Sequence, residues 1–147
     1  MSTLAGPALV LVIAVGLARL WLQRKRARRI EEARRLGQDL LPEIRSVMAS
    51  CDPAGCSGGA PVAAGRFTVV RQRLPRTLPK ESLFTVETFY QCVEAYARAS
   101  EDMIAAFAAE SDLSLGDRIR AKDRRDRCLK DVYYTGEAAL ERLQKIG

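Results

Sequence analysis

Histidine is absent from all 147 residues, and aromatic residues make up only 6% of them. Without histidine the chain lacks the one side chain whose unperturbed pKa lies near neutrality. That excludes histidine-based triads, histidine metal centres and haem ligation by histidine. Lysine is scarce as well, five against nineteen arginines. Glycine-rich phosphate loops are also missing, since the stretch SGGAPVAAG carries neither the lysine nor the strand-to-helix setting such a loop needs. The length allows one modest domain with appendages. No catalytic constellation, cofactor site or small-molecule substrate emerges from the residues, and the expectation is that the protein is not an enzyme.

What is present is unevenly placed. Arg19, Arg24, Lys25, Arg26, Arg28, Arg29, Arg34 and Arg35 stand against Glu31 and Glu32 alone, so this short run holds the whole net charge of +6. The 16 basic and 16 acidic residues elsewhere cancel. Immediately before the run lies LAGPALVLVIAVGLARLWL, from Leu4 to Leu22. As a helix it rises about 28 Å, close to the ~30 Å of a bilayer's hydrocarbon core. Arg19 lies within a turn of the boundary and can extend to the headgroups, and Trp21 falls where aromatic belts form. One membrane span with a basic collar is therefore expected, the collar residues Arg19, Arg24, Lys25, Arg26, Arg28 and Arg29 touching anionic headgroups. A cleaved signal would carry its charges before the apolar run, not after it. The positive-inside rule places the N-terminus outside and the tail in the cytoplasm, which corresponds to a bacterial inner membrane. Gly6, Ala14 and Gly16 offer small residues for packing between spans, without a G-x-x-x-G.

Past the anchor (1–23), the pattern of Ile30, Ala33, Leu36 or Gly37, Leu40, Leu41, Ile44 and Val47 predicts a juxtamembrane helix over 24–48 that continues the span outward. Pro42 either kinks it or opens a second short helix. Residues 49–79 read as a Gly/Pro-rich loop and a basic irregular segment, with an extended piece around Phe67 to Val70 as an option. A helical hairpin is expected over 80–147. Its first stripe is Phe89, Cys92, Val93, Tyr96, Ala99, Met103, Ala106 and Phe107, with Pro79, Ser82 or Thr85 near its start. Its second stripe is Leu115, Ile119, Leu129, Val132, Tyr133, Gly136, Leu140, Leu143 and Ile146, opened by a capping box of Ser114 and Asp117. Two stripes make a thin core. A third surface must come from the helix near Leu40 to Val47, from the segment around Phe67 to Leu78, or from a second copy.

Cys51 and Cys56 form a C-x4-C in the glycine-rich loop and are the candidates for a thiol redox or zinc function; in the cytoplasm ordinary reduced thiols are expected, and in an oxidising compartment the two would pair as a disulfide. Folding the hairpin about Ser114 sets Cys92 opposite residue 136 and Cys128 opposite residue 100. The offset of ~12 Å excludes a shared site in that register. Glu81, Glu87, Glu94, Glu101 and Asp102 read as a solvated helix face. Arg66, Arg71, Arg73, Arg76 and Lys80 form a segment without acids, for which lipid headgroups are favoured over nucleic acid because Phe67 is its only ring.

At LLPEIRSVM and RLPRTLPKESLFTVETFYQCVEAYARASEDMI, the latter bearing the Phe89-Tyr90 pair, the chain resembles a broad group of uncharacterised small bacterial inner-membrane proteins. The resemblance implies an architecture of one N-terminal span with a helical tail and carries no activity. The resulting expectation is an all-α, non-enzymatic single-pass membrane protein whose cytoplasmic hairpin is a protein-interaction or assembly module, binding a partner or itself. The alternatives are a thiol redox or zinc protein and an accessory subunit of a larger membrane complex.

Overall fold

The computed structural model describes residues 5–51, 65–108 and 114–146, with side chains at all of these except 5–9, 11 and 66. Every regular element among them is helical: α1 (Ala5–Ser50), α2 (Gly65–Val70), α3 (Leu74–Thr77), α4 (Lys80–Ala108) and α5 (Leu115–Gln144).

The apolar seam of the juxtamembrane sequence sets the architecture. Ala33, Leu36, Leu40, Ile44 and Val47 recur at three- and four-residue steps, and all are buried. They turn the second half of α1 into the third helix of a bundle with α4 and α5, whose own buried residues include Val86, Phe89, Val93, Tyr96, Leu129, Val132 and Leu143. Ile30, one step before the seam, is exposed. Residues before Ala33 therefore leave the bundle. The helix runs through Pro42 to Ser50 without a break, which excludes a second helix opening there. Burial of Leu40 and Ile44 on either side of the proline offsets the backbone bond that it cannot make.

Two close approaches fix how the helices run. Gly37 lies against Leu143, where an added Cβ would sit 3.6 Å from Cδ2. At Gly136 an added Cβ would sit 2.5 Å from Sδ of Met48 and 3.1 Å from Cε2 of Phe89, so any larger residue would have to displace Met48 and press on Phe89. α1 and α5 are thus antiparallel. The Arg142–Glu81 ion pair at 2.8 Å joins the last turn of α5 to the first turn of α4, giving the expected antiparallel hairpin. Its register differs from a fold centred on Ser114. Phe89, not Cys92, meets Gly136, a slip of three positions or nearly one helical turn.

The segment expected to be extended or irregular is helical in two short pieces. A lone strand would leave its ladder groups without partners. Helical turns satisfy them locally instead, through Arg71 N–H to the Phe67 carbonyl (2.8 Å), Arg73 N–H to Val70 (2.8 Å) and Leu78 N–H to Leu74 (2.9 Å). Pro75 occupies the first turn of α3, where its missing N–H costs nothing. Phe67, Leu74 and Leu78 are buried and close one side of the core. The Pro79 carbonyl accepts from Leu83 N–H at 2.9 Å, so α4 opens at the proline. Ser82 and Thr85 then lie inside the helix and are not its caps; Thr85 donates to the Glu81 carbonyl.

Candidate functional site

Levels along the rod place the functional candidates. Gly37, Leu143, Arg142 and Glu81 share one level, which forms the base of the bundle. α1 ends near the level of Tyr96 and Arg125: the Arg125 guanidinium donates to the Tyr96 hydroxyl at 3.2 Å and lies close enough to Cys51 to favour its thiolate. Among the described residues only α1 continues below Ala33, and beyond Cys51 only α4 and α5 continue, for about 18 Å of helix.

On the free half of α1, Val10, Val12, Ile13, Val15, Leu17, Leu20, Trp21 and Leu22 are all exposed. Arg19, Arg24, Lys25, Arg26, Arg28 and Arg29 are exposed as well, and Lys25 Nζ sits 4.8 Å over the Trp21 ring. Among the described residues no helix is long and apolar enough to cross a membrane. The expected span falls partly outside them: Leu4 is not described, nor are the side chains of 5–9 and 11.

Cys51 is not in the loop where the sequence suggests it. Its N–H bonds to the carbonyls of Val47 and Met48 at 3.1 Å each, and its side chain is 1% exposed within the core. Burial pushes its thiol up from the ordinary range, with Arg125 opposing. A sulfur so placed fills the core. Cys56 lies outside the described residues. Cys92 and Cys128 correct the sequence geometry too, because the slipped register brings them near each other. Burial raises Cys92, a hydrogen bond with Thr135 lowers it, and the charges of Asp131 and Cys128 raise it. Cys51, Cys92 and Cys128 are all free thiols. Among the described residues no three Cys, Asp or Glu side chains are grouped to hold a metal ion.

One polar cluster escaped the sequence reading. Glu43 Oε1 accepts from the Tyr90 hydroxyl at 2.7 Å and from the Phe67 backbone N–H at 3.2 Å, so one carboxylate joins α1, α4 and α2. Phe67 and Tyr90 stack with centroids 3.7 Å apart, and Phe89 meets Tyr90 edge-on at 5.0 Å. Burial raises the Tyr90 hydroxyl far above its ordinary range, and its hydrogen bond to Glu43 and that carboxylate's charge raise it further. The available signal was position. Residue 43 stands three after Leu40 and four before Val47, a carboxylate on an apolar seam. Beside the cluster, Asp39, Leu40, Glu43, Gly65, Val69 and Val70 line an open cleft of about 630 Å³. Its chemistry is that of a structural clamp: a carboxylate that accepts two hydrogen bonds and orders the short helices.

At the far end of the hairpin, Ile104, Phe107, Leu115 and Ile119 are each at least half exposed. Three of them, Phe107, Leu115 and Ile119, belong to the apolar stripes read from the sequence. They lie on the overhang that α1 is too short to cover. Ion pairs of both signs flank them, Arg124–Asp102 at 3.7 Å and Arg120–Asp117 at 2.5 Å. No family model, curated protein or solved structure matches the chain.

Proposed function

We propose that this is a non-enzymatic, single-pass membrane protein whose helical hairpin is a self-assembly module, held at the inner membrane by α1 with its N-terminus outside and its tail in the cytoplasm. The observation that carries the module reading is the uncovered apolar end of the hairpin, Ile104, Phe107, Leu115 and Ile119. Apolar side chains left exposed together on an otherwise well-buried stripe are the usual mark of an interaction surface. The membrane reading is supported by the exposed apolar residues of α1 from Val10 to Leu22, followed at once by the basic collar.

A second copy fits the overhang. Two chains anchored in one bilayer point their hairpins the same way, and a two-fold axis along the membrane normal brings identical faces together. Acids and arginines alternate beside the apolar residues, so each copy can oppose its Asp102 side to the partner's arginines. Light scattering on the full chain in detergent micelles tests this. The expected result is a dimer or larger assembly that Ile104→Glu with Phe107→Glu reduces to a monomer, with helix content unchanged by circular dichroism. A wild-type chain that stays monomeric at tens of micromolar contradicts self-assembly. If it also leaves native membranes in fixed ratio with one other protein, the accessory-subunit reading replaces it.

A further inference from the structure

The stretch from α2 to the first residue of α4 carries Arg71 and Arg73 in the turn between α2 and α3, Arg76 on α3 and Lys80 at the start of α4, and not one acid up to Glu81. All four are exposed, and among the described residues none of them forms an ion pair. Glu81 itself is held by Arg142 at 2.8 Å. The topology puts this unneutralised charge at a particular place. Leu74 and Leu78 anchor α3 in the core, α4 starts immediately after it, and Glu81 is level with Gly37, about one turn above Ala33, where α1 leaves the bundle towards its apolar half. Two basic surfaces far apart in sequence, the collar and the α2–α3 face, therefore end up at the same end of the molecule.

From this juxtaposition we infer that the α2–α3 face, Arg71, Arg73, Arg76 and Lys80, is a second docking surface for anionic lipid headgroups, which leans the bundle onto the membrane. The inference rests on the membrane reading proposed above. Arginine predominates in the face, and its planar fork binds phosphate oxygens in pairs. Exposed apolar groups accompany the charge: Val69 on α2 is 79% exposed, and Phe84, one turn after Lys80, is 71% exposed. Cationic side chains interleaved with bare apolar ones suit the headgroup boundary. Nucleic acid fits less well, because binding to single strands draws on stacking rings. Of the two rings near this face, Phe67 is 6% exposed and already stacked on Tyr90, which leaves Phe84 alone for a base to stack on. Geometry sets the lean. α1 rises about 22 Å from Leu22 to Gly37, so an upright bundle would hold this face beyond a headgroup layer of about 5–8 Å and a Debye length of ~8 Å. Contact requires the rod to tilt towards its α2–α3 side.

Hydrogen exchange on the full chain in lipid nanodiscs tests the inference, comparing phosphatidylcholine discs with discs that also contain phosphatidylglycerol. Amides in 65–80 are expected to exchange more slowly in the anionic discs by about fivefold or more, the factor matching one basic residue's attraction to an anionic surface. High salt should reverse the effect, Arg73→Glu with Arg76→Glu and Lys80→Glu should abolish it, and the corresponding lysine variants at the two arginines should retain it. Exchange in the α4 and α5 core should not change. An embedded chain with equal exchange in both discs overturns the inference, as does protection that survives the triple glutamate variant. Equal protection by inorganic phosphate with neutral discs would assign the face to free phosphate and overturn the lipid assignment. A chain that fails to embed in either disc overturns the membrane reading instead.

Discussion

Single side chains decide how the three long helices meet. Gly136 is the tightest point: a methyl group there must displace Met48 and press on Phe89, which is wholly buried. Gly136→Ala should therefore cost about 1–3 kcal/mol, as overpacked cores do. Gly37→Ala meets only ordinary contacts with Leu143 and removes a flexible residue from mid-helix, so it should be neutral or stabilising by up to about 1 kcal/mol. Chemical denaturation of the two variants side by side reads both signs. Tyr90 gives a pH dependence. Its folded pKa is raised, so its stabilising contribution is complete below the unfolded value of about 10 and is lost as pH rises beyond it. Alkaline titration should show the bundle weakening above about pH 10, and Tyr90→Phe should weaken less steeply. At this scale the sequence is only partly legible. The seam positions of α1 can be read from spacing, whereas the Glu43 clamp and the burial of Cys51 depend on which neighbours the fold supplies.

Elements with their own local signals are the ones sequence can find. Ser114 and Asp117 make the reciprocal capping box their spacing suggests: Asp117 N–H donates to Ser114 Oγ at 3.2 Å, and Ser114 N–H donates to Asp117 Oδ2 at 3.2 Å. Ser114→Ala should destabilise α5 by about 1 kcal/mol. The hydrogen bond from Ser114, and then that from Arg120, hold Asp117 below the usual carboxylate range. With a lowered folded pKa, the cap's contribution is present above about pH 4 and disappears as pH falls further, and Ser114→Ala should flatten that acid limb of a melting-temperature profile. α2 and α3 lack such signals. Helices of six and four residues are too short to form from propensity, and they exist here because Phe67, Leu74 and Leu78 have a core to enter. The hairpin register was equally hidden. A slip of nearly one turn keeps both stripes facing inward, and what selects it is the fit of Gly136 beneath Met48 and Phe89.

The whole molecule has two different ends. Among the described residues, one is a lone helix, apolar to Leu22 and basic after it, and the other a two-helix overhang with exposed Ile104, Phe107, Leu115 and Ile119. Between them the third helix joins the pair and makes the thin two-stripe core sufficient, so the chain supplies its own third surface from both Leu40–Val47 and the Phe67–Leu78 region. That the hairpin would need more core was legible from two narrow stripes. Where the added helix would stop, and hence which stripe residues would stay bare, followed only from the level of Cys51 beside Arg125. Anchorage at one end and assembly at the other is the central claim, and anchorage comes first. The direct measurement is alkaline carbonate extraction of membranes carrying the full chain. The wild-type chain should remain with the bilayer, and Val12→Asp with Val15→Asp should release it. Complete release of the wild-type chain into the soluble fraction would contradict a spanning α1.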